Sequence, residues 1–309
     1  MKRIMKRFCL ILVLVFLVSI ASACGSSEVK TPSSVSTGEK ESLKKVPASA
    51  ESSSGKKESR PDITIEESVL FDQDGVRITS KGLNLKGSFG PEIKLLIENN
   101  NEKSVTVQAR NASVNGYMVD TSMSADVAAG KKANDALSIM RSDLELAGIE
   151  TIAEIEFSFH IFDSESWDTI VDSDRIRIET SAAEGFSYSF DDSGNQVYNE
   201  NGVEIVVKGL SENDSWLGPS IVVYISNTGD SNYTVQVRDV SVNGFMVQSV
   251  FSCDVLAGKH AIDTITFLGN DLKENDIETI ESVELSFHIF DMDNWMTSVD
   301  TSPVIIDFS

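Results

Sequence analysis

The chain has 309 residues, 41% of them hydrophobic, with 26 basic and 48 acidic side chains and a net charge of -22. That is enough apolar chain for about two packed domains. The acidity excludes a surface that holds nucleic acid or anionic headgroups by charge, and three cysteines, Cys9, Cys24 and Cys253, make no disulfide framework.

Taken in order, Met1 to Arg7 is a basic segment and Phe8 to Ile20 an apolar run of 13 residues. The run is short for a bilayer span and suits the apolar core of a secretory signal peptide. Ala21-Ser-Ala-Cys24 follows, then Gly25-Ser-Ser27. This resembles the lipobox of bacterial lipoproteins, with Ala21 where that motif favours Leu. The resemblance implies cleavage after residue 23, diacylglyceryl attachment to the Cys24 thiol, and a chain held on the extracytoplasmic face of the cell membrane. Two or more buried acyl chains, at about 0.8 kcal/mol per CH₂, anchor stably. Residues 24–60 are rich in Ser, Lys and Glu, contain Pro32 and Pro47, and lack the apolar side chains a core needs, so they read as a disordered linker. Residues 1–60 carry 11 basic and 5 acidic residues, which leaves a net charge of -28 for the remainder.

The remainder is a duplication. Gly75 and Gly82 align with Gly202 and Gly209, and from Gly90-Pro91 against Gly218-Pro219 onward 40 of 83 aligned pairs are identical. The period is that of a whole domain, longer than a solenoid or propeller unit. Within the first copy, Val76–Ser80 is a strand ending at Gly82, and Ile93–Ile97 and Val105–Val114 are two more. Asn115-Gly116 is a two-residue hairpin turn, because both residues tolerate positive φ. Tyr117–Val119 returns as a short strand, Ala129–Lys131 turns, and Ala133–Met140 is extended. Ser142–Ala147 predicts a helical turn with Ser142 as N-cap and Gly148 as its stop.

The central strand is Glu156-Phe-Ser-Phe-His-Ile-Phe-Asp163, repeated as Glu284-Leu-Ser-Phe-His-Ile-Phe-Asp291. Its period of two puts Ile155, Phe157, Phe159 and Ile161 inward and Glu154, Glu156, Ser158 and His160 on a wet face. Thr169–Glu179 supplies a last strand, and Phe186–Phe190 an extra arm or linking strand. The expected fold is all-β: two tandem immunoglobulin-like β-sandwich domains, residues 61–182 and 186–309, after the signal peptide and linker. The Cys–Trp–Cys pattern of true immunoglobulin domains is absent.

Val-Asn-Gly-Tyr-Met at Val114, Ala-Asp-Val-Ala-Ala-Gly-Lys at Ala125 and Ser-Phe-His-Ile-Phe-Asp at Ser158 are similar to motifs in a group of Gram-positive bacterial lipoproteins with tandem immunoglobulin-like repeats. The resemblance implies an extracytoplasmic β-sandwich protein and supplies no functional residue.

For chemistry, the sequence holds no Gly-x-Ser-x-Gly elbow, His-Glu-x-x-His, phosphate loop or dinucleotide fingerprint. Acidic loops with Asp163, Glu165, Asp291 and Asp293 are weak Ca²⁺ candidates; they lack the Gly and Glu of an EF-hand loop. Glu156 and His160 lie about 13 Å apart along one strand, too far to share a metal unaided. Trp167 and Trp295 read as lids over a sandwich edge. Trp216, Trp295, Tyr117 and Phe245 are candidate exposed aromatics for glycan or protein contact, against the alternative that strand-end aromatics cap the cores. Cys253 aligns with Ala125 and reads as a buried thiol. Arg110 and Arg238 are expected to pair with Asp126 and Asp254. The expected function is a non-catalytic surface lipoprotein that binds a protein or glycan through its two sandwiches, without a cofactor. The alternative is an envelope-structural or assembly factor for a membrane complex.

Overall fold

The computed structural model describes residues 63–211 and 216–308. The expected signal peptide, the Cys24 lipidation site and the expected linker lie outside the described residues. The first repeat contains β1 (Ser68–Gln73), β2 (Val76–Asn84), β3 (Glu92–Asn99), β4 (Val105–Val114), β5 (Tyr117–Met118), β6 (Thr121–Ser122), β7 (Ser124–Val127), β8 (Lys132–Ile139), helix α1 (Arg141–Leu146), β9 (Glu154–Asp163), β10 (Thr169–Asp172) and β11 (Ile176–Glu179). The second follows the same plan with β12 (Asn195–Glu200), β13 (Val203–Leu210), β14 (Ser220–Asn227), β15 (Tyr233–Val242), β16 (Phe245–Met246), β17 (Ser249–Val250), β18 (Ser252–Val255), β19 (Lys259–Phe267), α2 (Gly269–Glu274), β20 (Ser282–Asp291), β21 (Ser298–Asp300) and β22 (Val304–Asp307).

Each repeat is a two-sheet sandwich of the immunoglobulin-like kind, so the expected all-β fold is the observed one. In the first, β1-β2-β3-β8-β6 faces a sheet built on β9, β4 and β5. The alternation of β9 is realised: Ile155, Phe157, Phe159 and Ile161 are all 0% exposed. Phe157 and Phe159 meet edge-on at 5.2 Å. Full burial of such side chains is worth about 1.5–3 kcal/mol each. Leu285 and Phe287 fill the corresponding places in the second core.

Several local expectations are revised. Gly82 does not end β2: the register shifts between Ser80 and Gly82 and the strand continues to Asn84. Gly82 sits at φ 135°, a conformation that suits glycine at a bulge. Helix α1 begins one residue before Ser142, with Met140 at the N-cap position and no side-chain cap; the Arg141 N–H, anchored on the Phe89 carbonyl at 2.9 Å, fixes the start. Thr169–Glu179 is two strands, both paired to β9, because the Ser173 hydroxyl accepts the Phe159 N–H at 2.8 Å and breaks the ladder. Phe186–Phe190 forms no strand.

The two sandwiches share a sheet. Strand β5 pairs in parallel with β19, so the β9-β4-β5 sheet of the first repeat runs on into β19-β14-β13-β12 of the second, an 11-stranded sheet in all.

Candidate binding surfaces

The junction between repeats is built around the β4–β5 hairpin and the start of β19. The β4–β5 hairpin turns through Asn115 (φ 50°) and Gly116 (φ 88°). Asn115 is also a tie: its Nδ2 donates to the Thr151 carbonyl at 2.7 Å, and its Oδ1 accepts the Ala153 and Glu154 N–H groups. The hairpin thus held, the Gly116 carbonyl accepts the His260 N–H at 3.0 Å. Tyr117, read in sequence as either an exposed contact or a core cap, is 2% exposed and caps the core. It packs edge-on against Tyr188 at 5.7 Å and Phe190 at 5.1 Å. Phe186–Phe190 is therefore a strap whose rings close the junction, with Phe190 stacked on His260 at 3.5 Å. The Tyr224 hydroxyl lies 2.6 Å from His260 Nδ1. Burial, with the neighbouring Lys259 charge, lowers the His260 pKa to about 4, and burial pushes Tyr224 up to about 12.

Glu156 is likewise not on a wet face: it is 8% exposed, as is Lys259. Lys259 Nζ stands 2.6 Å from Glu156 Oε2, with Arg175 Nη1 at 3.6 Å. Burial pushes the Glu156 carboxyl up, but these two cations outweigh it and hold it below the usual range. Glu154, beside it, is raised, by burial first and by the Glu156 charge, against Arg177 at 2.5 Å. A half-open pocket of about 240 Å³ gathers Asp120, Asp143, Cys253, Asp254 and Asp263 where the repeats meet. Burial first, then the charges of Asp120 and Asp143, raise the Asp263 pKa to about 6. Cys253 is buried as expected, and desolvation pushes its thiol well above the usual value.

The acidic loops present tryptophans. After β9 the chain makes one tight turn, with the Trp167 N–H donating to the Asp163 carbonyl at 2.9 Å. That leaves Trp167 at φ 67°, a left-handed conformation that costs a bulky residue about 1–2 kcal/mol. Trp167 stacks on Phe162 at 5.4 Å yet remains 64% exposed. At the equivalent place Trp295 is tilted against Phe290 at 6.0 Å, is 76% exposed, and donates its Nε1–H to the Met292 carbonyl at 2.8 Å. These are lids with most of their surface in water.

The carboxylates beside them are engaged in the turns. Asp163 Oδ1 accepts the Glu165 and Ser166 N–H groups, and Oδ2 accepts from Lys103 Nζ at 2.8 Å. The Lys103 bond first, then these amides, lower the Asp163 pKa to about 2. Asp291 Oδ1 accepts the Asp293 and Asn294 N–H groups at 2.8 and 3.0 Å. Among the described residues, no three His, Cys, Asp or Glu side chains converge as a metal set.

His160 bonds Asp172 Oδ1 at 2.5 Å and His288 bonds Asp300 Oδ1 at 2.7 Å, directly across the β9–β10 and β20–β21 pairings. Each pair clips an edge strand to the central one. Arg110 and Arg238 do not reach Asp126 and Asp254. Register decides this: Asp126 lies opposite Thr106 and Asp254 opposite Thr234, and each aspartate accepts that threonine hydroxyl at 2.6 Å. Arg238 pairs instead with Asp300 at 3.1 Å, while Arg110 donates to Gln108 at 3.4 Å. Trp216 is 92% exposed and Phe245 49%.

No family model matches this chain, and no curated protein matches it. Solved structures with some similarity are a YadV chaperone (9% identity, 70% of this chain and 92% of that one, TM-score 0.23) and a protein of unknown function from Porphyromonas gingivalis W83 (12%, 70% and 90%, TM-score 0.20). A third is a CsuC-CsuE chaperone-tip adhesion subunit pre-assembly complex from Acinetobacter baumannii (12%, 68% and 89%, TM-score 0.20). TM-scores this low bear on neither partner nor role.

Proposed function

We propose that this chain is a non-catalytic lipoprotein, anchored through Cys24 to the extracytoplasmic face of the cell membrane, whose two β-sandwiches bind a protein or glycan. The observation that carries the reading is the pair of tryptophans, Trp167 and Trp295, held mostly in water on equivalent loops of both repeats. A large aromatic face fixed by stacking beneath, with backbone carbonyls and carboxylates around it, suits contact with a sugar ring or an apolar side chain at low entropic cost. Two such faces on one chain raise avidity for a repetitive ligand. The test is retention of purified cell-wall polysaccharide or solubilised surface proteins by the immobilised chain. Binding that falls in Trp167→Ala and Trp295→Ala, and further in the double variant, supports the reading; equal retention by all four forms refutes it.

The second reading is an envelope-structural or assembly factor. The packed junction favours it, since the β5–β19 pairing at Tyr117 and His260, the aromatic strap and the Glu156–Lys259 pair together restrain one repeat against the other. Recovery of a stoichiometric membrane complex, independent of both tryptophans, would support this reading over the first.

A further inference from the structure

The junction is made of two unlike halves, and the duplication leaves one of each unused. The hairpin half is Gly116, Tyr117 and Glu156; the edge half is Lys259 and His260 at the start of β19. In the second repeat the hairpin half recurs as Gly244, Phe245, Met246 and Glu284. There Phe245 is 49% and Met246 67% exposed, where Tyr117 is 2%, and Glu284 is exposed where Glu156 is buried. A Cβ built on Gly116 would touch Phe190 at 3.0 Å, whereas one on Gly244 meets nothing within 4 Å. The edge half recurs in the first repeat as Lys131 and Lys132, both exposed. The backbone there is already in the junction shape: the Lys131 N–H bonds the Ala128 carbonyl as the Lys259 N–H bonds the Leu256 carbonyl, each at 3.0 Å.

We infer that the β16 hairpin of one copy docks on the β8 edge of a second copy, repeating between molecules the β5–β19 junction within each. The occupant is a second copy because its charges match. Glu284 faces Lys131 as Glu156 faces Lys259, and the Gly244 carbonyl receives the Lys132 N–H as the Gly116 carbonyl receives that of His260. The contact is heterologous, so it propagates head to tail into open chains and does not close at a dimer. It is weaker than the internal junction for identifiable reasons. Asn134 stands where Ile262 packs against the first core, and Lys132 replaces the stacked His260. Exposed opposite charges make it sensitive to salt. Anchoring on one membrane would raise the local concentration on which so weak a contact depends.

Sedimentation velocity on the chain from residue 24 onward, with Cys24→Ser, tests this at roughly 10 µM to 1 mM, affinities at which weak contacts are populated. The expected result is a weight-average mass that climbs past two chains with concentration. Glu284→Lys and Lys131→Glu each abolish it, by about tenfold or more in affinity. An equimolar mixture of the two variants restores it, since each end then meets an opposite charge. Met246→Ser, which leaves all charges in place, weakens it. A monomer at every concentration at physiological ionic strength overturns the inference. So does association that stops at two chains, or that survives both charge reversals.

Discussion

Asp263→Asn should stabilise this protein at pH 7 and not at pH 4. Asp263 lies in the acidic pocket with Asp120, Asp143, Asp254 and the Cys253 thiol around it, and its carboxyl titrates near 6 against a usual 3.8. At 1.36 kcal/mol per pH unit, that difference makes the ionised side chain cost about 3 kcal/mol of folding stability at neutral pH. The sign follows from the direction. A raised carboxyl favours the protonated folded state, so its contribution is fully present below about 3.8 and is lost as pH rises through 6. Asparagine removes the charge and keeps the oxygen that accepts the Thr264 N–H at 2.6 Å. Burying its amide returns about 1 kcal/mol, leaving a net gain of about 2 kcal/mol at pH 7, or roughly 4–8 °C in Tm. His260 acts oppositely over nearly the same range, since its pKa is lowered from 6.5 to about 4 and it destabilises the fold as pH falls. The wild-type pH curve therefore mixes the two, and the readout is the difference between variant and wild type in urea unfolding at pH 4, 5, 6 and 7. That difference should rise by about 2.4 kcal/mol over the series, since part of the cost is already present at pH 4. A difference that is flat with pH refutes the reasoning.

Lys259→Met strands the buried Glu156 carboxylate and should cost about 3–5 kcal/mol, while adding Glu156→Gln recovers most of it; urea midpoints of the single and double variants check this. Asn115→Ala removes three hydrogen bonds and puts alanine at positive φ, so a loss of about 2–4 kcal/mol is expected by thermal unfolding, and the same from Asn243→Ala, whose bonds are equivalent. Cys253 should resist a thiol reagent in the native protein at pH 8 and react fully in 6 M guanidinium, because its thiol is both buried and raised in pKa; prompt native labelling would contradict its placement.

What the sequence conveyed was mostly what one strand can know about itself. The alternation in Ile155–Ile161 placed the core face correctly, and Asn115-Gly116 announced its hairpin. Strand β1 went unread because Val69-Leu-Phe71 is a three-residue apolar run with a register shift inside it and no clean alternation. Phe186–Phe190 alternates like a strand, but its rings serve as a strap and its backbone pairs with no strand. The larger misreading concerns Glu156. Period two marks Glu156 as solvated, and so it would be in an isolated repeat; its burial comes from Lys259, over one hundred positions later in the chain. The signal was present in a different form: the two repeats differ most tellingly where one is docked and the other is free, at His260 against Lys132 and Ile262 against Asn134. The Arg110 pairing failed for a related reason. Repeated charges are visible in sequence, but the register that set Asp126 opposite Thr106 is not.

The side-chain roles of Asn99 and Asn227 were equally hidden. Asn99 is 1% exposed, and its amide donates to the Lys103 and Val127 carbonyls at 2.8 and 2.9 Å, tying a loop to the far strand; Asn227 repeats this at Ser231 and Val255. In sequence both look like ordinary turn residues at the close of a strand.

The account rests most heavily on the two exposed tryptophans as the binding surface of a tethered, non-catalytic chain. Its most direct test is capture from detergent-solubilised envelope, comparing the wild-type chain with the Trp167→Ala, Trp295→Ala double variant at matched folding. The account predicts a protein or glycan retained by the first and released by the second. Identical capture by both, or turnover of the captured material, would contradict it.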